Sequence, residues 1–192
     1  MSKSQLPLPE LKRYLKEASQ PELITLIMDC YKMNDEVKKY FQMKLRPEET
    51  LTQLYEEAKR TIAYEFYPER GMPKMRLAQA KKAISEFSKL TDDFPKQIDL
   101  MLFYVEQGVS FTNDYGDIDE RFYNSMASVY SQVVRKLIDH DDVELYYYFH
   151  PRIEAAVHET SGCGWGFHDD LAYEYYELVD HFGVLNQVVE GK

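Results

Sequence analysis

Three side chains in the last third of the chain stand at a spacing that gathers ligands on a helix. His150, Glu154 and His158 are four residues apart, so on one helix they share a face. Two imidazoles and a carboxylate in that arrangement can hold zinc or another divalent transition metal and leave a position open for water. Cys163, His168 and Asp169 follow. A hairpin through Gly162-Cys163-Gly164-Trp165-Gly166 would carry His168 towards His158, with Cys163 and Asp169 as further donors. A plainer description fits the same residues. The spacing matches no established ligand pattern, Pro151 disturbs the helix just after His150, and Asp169 and Asp170 suit the first turn of a helix, where negative charge meets the positive end of the dipole. Isolated histidines are also ordinary surface residues.

Other candidate chemistry is thinner. Cys163 near a helix start, with His168 and Asp169 close in sequence, has the ingredients of an activated thiol, but it lies in no cysteine-protease pattern. Gly162, Gly164 and Gly166 are spaced as GxGxG, yet no strand precedes them and no basic residue stands beside them, so they make a turn rather than a phosphate loop. The run Asn113-Asp114-Tyr115-Gly116-Asp117 fails as a calcium loop, because aligning Gly116 with the loop glycine puts Phe111 and Tyr115 where oxygen ligands are needed.

Charge and aromatic content point to binding. The 192 residues carry a net charge of −10. Residues 1–90 hold 17 Lys and Arg against 13 Asp and Glu, and residues 91–192 hold 6 against 20. A protein that binds duplex nucleic acid needs a basic face to displace counterions from phosphates, so nucleic acid is not expected as a partner. All five histidines and the single tryptophan lie in the acidic half. Tyr146-Tyr147-Tyr148-Phe149 and Tyr173, Tyr175 and Tyr176 cannot all face inward on helices, and exposed tyrosine is common at interfaces. Lys74, Arg76, Lys81, Lys82 and Lys89 form the most basic run, either a solvated helix face or a surface for an acidic partner, including the acidic half of a second copy.

The elements that position these residues are helices. Apolar residues recur at three- and four-residue steps almost throughout. Leu8, Leu11 and Leu15 mark a first short helix. Ser19-Gln20-Pro21-Glu22 reads as a capping box, leading into Ile24, Ile27, Met28 and Tyr31. Asn34 can cap a third helix with Val37, Tyr40, Phe41 and Leu45. Arg46-Pro47 starts a longer helix ending near Tyr67-Pro68. A basic helix carries Leu77, Ala80, Ile84 and Phe87, and its successor Ile98, Met101, Leu102, Val105 and Val109. Phe122, Met126, Val129, Tyr130, Val133 and Leu137 form the clearest stripe of all. Pro151 predicts a kink or split in the helix after Asp142, and Gly183 a C-cap for the last one. Short connectors between the longer helices favour antiparallel neighbours.

The stretch Leu8-Pro9-Glu10-Leu11-Lys12-Arg13-Tyr14-Leu15-Lys16, then Glu22-Leu23-Ile24, then Val37-Lys38-Lys39-Tyr40-Phe41, resembles the opening of a family of small bacterial helical proteins defined by a domain of unknown function. Gly166-Phe167-His168-Asp169-Asp170-Leu171 resembles its C-terminal part. The resemblance implies an all-helical fold and no particular activity, cofactor or site. The leucine pattern of the opening is also similar to the helix pair of SAP-type DNA-binding modules, a likeness the acidic total does not support.

The expectation is therefore a single all-α domain over residues 1–192, with short helices in 1–45 and longer antiparallel helices in 47–192. Eight to nine helices would form an antiparallel bundle or a short stack of helix hairpins. With two distant cysteines, no apolar leader and no stretch near the roughly 20 apolar residues that span a bilayer, a cytoplasmic protein that does not engage membranes is expected. It would act as an interaction or scaffold protein on a protein partner or on itself, without a cofactor. The alternative is a metal-binding protein or metal-dependent enzyme using His150, Glu154, His158 and His168.

Overall fold

The computed structural model describes residues 6–190, and the side chains of residues 6–183. Among the described residues there are nine helices and no strand. The chain divides into two compact units, Met1–Thr50 and Leu51–Lys192.

The first unit holds α1 (Leu8–Glu17), α2 (Gln20–Met33) and α3 (Asp35–Leu45). Their ends are where the sequence placed them. The Glu22 carboxylate reaches back to accept from the Ser19 N–H at 2.8 Å and from its hydroxyl at 2.6 Å. Asn34 Oδ1 accepts from the Glu36 N–H at 2.7 Å and from Val37 at 3.4 Å, satisfying donors that the first helical turn leaves without partners. None of the three helices has a buried residue. Leu8, Leu11, Leu15, Ile24, Ile27 and Met28 are exposed, so helical periodicity here marks amphipathic faces and not a core. Three helices this short enclose too little volume to bury their own apolar stripes.

The second unit contains most of α4 (Pro47–Phe66) and α5 (Leu77–Leu90), α6 (Phe94–Tyr115), α7 (Glu120–His140), α8 (Val143–Glu159) and α9 (Phe167–Glu190). Aspartates start α6, α7 and α8: Asp93, Asp119 and Asp142 accept from backbone N–H groups of the following turn. Gly116 ends α6 with φ +86° and Asp141 ends α7 in the left-handed region. The stripe foreseen on α7 is buried throughout, from Phe122 to Leu137.

Two hairpins make the core. Tyr104 bonds Ser125 and Thr112 bonds Tyr123, so α6 and α7 run antiparallel. Tyr146 stacks on Phe182 while His168 meets the Val157 carbonyl, so α8 and α9 do the same. The hairpins then stack with α6 beside α8 and α7 beside α9. Tyr123 packs on Phe167 and Ser131 bonds Glu174, which makes α7 and α9 parallel. Short connectors thus set antiparallel order within each hairpin only; between hairpins the neighbours run parallel. α5 packs on α6.

Two elements depart from the sequence reading. Of the kink or split expected at Pro151, the split does not occur: Pro151 lies inside an unbroken α8, on its exposed side, where the carbonyl that loses its proline partner can turn to water. α9 continues through Gly183 to Glu190, because Gly183 does not adopt the left-handed backbone that would cap it.

A polar staple joins α4, α6 and α8. Arg152 donates to Glu106 through Nε at 2.6 Å and Nη2 at 2.8 Å, and through Nη1 to Asp99. Asp99 also accepts from the Tyr55 hydroxyl, and Lys59 stands 3.8 Å away. Burial opposes the guanidinium's charge, but the hydrogen bonds to Glu106 and Asp99 more than offset it and hold the pKa above its ordinary value. Arg152→Met is expected to leave two carboxylates facing each other and to lower stability by about 1.5–3 kcal/mol in urea denaturation. Arg152→Lys recovers only part, since an ammonium cannot reproduce the two-pronged contact with Glu106. Equal stability of Arg152→Met and wild type would show that the staple contributes nothing.

Candidate functional site

Two of the residues singled out as ligands, His150 and Glu154, meet on a tyrosine that sequence reasoning treated only as part of an aromatic cluster. His150 and Glu154 project from α8 towards Tyr175 of α9. The Tyr175 hydroxyl donates to Glu154 Oε1 at 3.0 Å and lies 3.1 Å from His150 Nε2. A phenol has one proton, and it is given to the carboxylate, so His150 must donate through Nε2–H. His158 Nε2 stands 4.0 Å from the same Glu154 oxygen, and its side chain is 77% exposed. Burial and the bond to Glu154 push the Tyr175 hydroxyl up to about 12, so it stays protonated at neutral pH. The chain His150–Tyr175–Glu154 ties α8 to α9.

His168 lies apart from this group. Its Nδ1 faces the Val157 carbonyl at 3.1 Å and Thr160 Oγ1 at 3.4 Å, closing the turn between α8 and α9. Asp169 is exposed in the first turn of α9. Cys163 is partly buried and unpaired; burial pushes its thiol up, and Asp117 adds to the shift against a hydrogen bond from Thr112. The glycine turn holds φ +87° at Gly162 and +71° at Gly166, with Trp165 also left-handed. Gly164 N–H donates to Asp117 at 3.3 Å. Among the described residues, no three His, Cys, Asp or Glu side chains are grouped so as to hold a metal ion.

The surface carries more distinctive chemistry than these contacts do. On α9, Phe167, Leu171, Leu178 and Phe182 are buried on the side that packs against α7 and α8. The opposite row is Asp169, Asp170, Tyr173, Tyr176, Glu177 and Asp180, all exposed. Tyr173 is 66% and Tyr176 63% exposed, high for rings that a monomer could have turned onto its own core. From Phe167 to Gly183 the helix has no Lys or Arg. Arg135 of α7 stands 3.9 Å from Glu174 at the edge of the row. Tyr147 and Tyr148 of α8 are exposed as well.

Stacked hairpins with these exposed helix faces place the chain among all-α proteins. It belongs to the family of unknown function DUF6155, which it matches over residues 1–182. No match was found among curated proteins or among solved structures. Among the described residues, no helix is long and apolar enough to cross a membrane.

Proposed function

We propose that this protein is an interaction module and that the outer row of α9 is its contact surface. The observation that carries this reading is the pairing of two solvent-facing tyrosines with four carboxylates on one helix face without an intervening cation. Such a face suits a basic partner. Lysine and arginine heads pair with the carboxylates, and their stems and charges lie over the tyrosine rings. Tyrosine supplies contact area at little entropic cost. The acidic total of −10 favours a protein partner over nucleic acid, and two unpaired cysteines suit a reducing cytoplasm.

The probe is a synthetic helical peptide with lysine on one face, titrated at low salt against labelled protein. Amide shifts are expected at Tyr173, Tyr176, Glu177 and Asp180. Replacing both tyrosines by alanine is expected to weaken binding by about tenfold or more, as for aromatic anchors at other interfaces. A glutamate-faced peptide of the same length should not bind. Shifts confined to other helices, or equal binding of both peptides, would remove α9 as the contact surface.

A further inference from the structure

The second unit carries a counterpart to the acidic row. α5 buries Ala80, Ile84 and Phe87 against α6 and turns Gln79, Lys81, Lys82, Ser85 and Lys89 outward. Lys82 is paired with Glu86 on its own helix, at 3.3 Å between two exposed side chains, a contact that water competes with strongly. Lys74 and Arg76 precede the helix and are exposed too, the Arg76 guanidinium already paired with Glu65 at 2.8 Å. Beside its first turn an open hollow of about 540 Å³ is lined by Arg60, Tyr64, Arg76 and Gln79 together with Glu57 and Glu65, so that its charges balance, and it has room enough for an aromatic ring.

These two faces look outward from different flanks. α5 sits on α6, whereas α9 packs on α7 and α8, and α6 and α9 occupy diagonal corners of the stacked hairpins. One molecule therefore presents a basic, ring-accepting face on one side and an acidic, ring-bearing face on the other. Resting on the reading of α9 as a contact surface, we infer that the basic partner is a second copy of this chain, joined head to tail, with the α5 face of one molecule on the α9 face of the next. The carboxylates of Glu177 and Asp180 answer Lys81, Lys82 and Lys89, and Tyr173 or Tyr176 enters the hollow by Tyr64. The faces differ, so the contact is heterologous: copies add in a ring or a chain rather than closing as a two-fold dimer. Two single-helix faces bury little area, which makes the association weak and readily reversed.

Sedimentation velocity over a concentration series tests this on the full chain. At about 0.01 M salt, where charges act over about 30 Å, the average mass should rise with concentration, and at about 1 M salt, where the reach is about 3 Å, it should return to that of the monomer. Two variants then define the geometry: a basic-face variant, Lys81→Gln with Lys82→Gln and Lys89→Gln, and an acidic-face variant, Glu177→Gln with Asp180→Asn, each removing charge without reversing it. Circular dichroism checks that both keep their helicity. Each alone should stay monomeric at low salt. Mixed, they should form a one-to-one pair and nothing larger, because each retains the face the other has lost. A wild type that remains monomeric at low salt while binding the lysine-faced peptide through α9 would overturn self-association and leave the contact surface standing. Failure of both would remove both. Self-association that persists in the basic-face variant, or at high salt, would place the contact elsewhere.

Discussion

Between pH 10 and 12 the second unit is expected to unfold at temperatures where it is stable at pH 8. The cause is a set of tyrosines whose hydroxyls the fold keeps from ionising. Tyr104 is fully buried with its hydroxyl 2.8 Å from Ser125, and burial pushes it up to about 12. Tyr130 is buried, bonded to the Ile153 carbonyl at 3.1 Å, and pushed higher still. Tyr175 reaches about 12, and Tyr55 and Tyr67 lie above that, each raised by burial and by a hydrogen-bonded carboxylate. An unfolded tyrosine ionises near 10. The folded pKa values are raised, so their stabilising contribution is complete below pH 10 and is lost as the pH climbs towards 12. Above pH 10 the unfolded chain has released protons that the folded chain retains. Stability then falls by about 1.4 kcal/mol per pH unit for each of the fully buried pair, Tyr104 and Tyr130. Over two units Tyr104 and Tyr130 alone account for about 5 kcal/mol, comparable to the whole stability of many domains. The last part of the rise in tyrosinate absorbance should coincide with the loss of helicity, and Tyr104→Phe should move that transition to higher pH. Titration of all 16 tyrosines near pH 10 with helicity intact would contradict this account.

Gly108→Ala is expected to destabilise the protein although alanine is the better helix former. Gly108 lies in α6 against Met126 of α7. A methyl group built there would stand 2.2 Å from the methionine sulfur and 2.9 Å from Cγ. Met126 is itself fully buried and has little free room to retreat. Gaining alanine is worth about 1 kcal/mol in helix propensity, whereas forcing an extra carbon into a packed contact costs about 1–3 kcal/mol. The 2.2 Å approach puts the clash at the upper end of that range, so the net loss should reach up to about 2 kcal/mol in urea denaturation, with Gly108→Leu much worse. Met126→Ala opens a cavity when made alone. Combined with Gly108→Ala, it should cost less than the two separate losses together, by at least about 0.5 kcal/mol. Gly108→Ala as stable as wild type would show that the hairpin can spread without penalty.

Much of the architecture is legible in the residues themselves because helices depend on local chemistry. The Ser19–Glu22 box, the Asn34 cap, the Pro47 start and the Phe122–Leu137 stripe all fall where the sequence places them. The reading goes astray where a local signal has more than one tertiary outcome. Leu8, Leu11 and Leu15 have the period of a buried stripe, but burial needs a partner surface, and α1–α3 supply none among themselves. Pro151 signals a break only where the freed carbonyl cannot reach water. Arg76 reads as part of a solvated basic run, yet its backbone N–H and its guanidinium clamp the carboxylate of Glu65, which is 2% exposed. That contact spans eleven residues and a left-handed Met75, and no spacing rule announces it.

By itself the sequence determined the helices, most of their ends, and the segregation of charge that leaves α5 basic and α9 acidic. These follow from interactions within a few residues and from composition. Tertiary structure alone decided that the hairpins stack in parallel, that Tyr175 stands between His150 and Glu154, and that Tyr173 and Tyr176 face water while Tyr104 and Tyr130 do not. The physical reason is that periodicity shows a helix has a face, whereas what covers that face is set by surfaces distant in the chain.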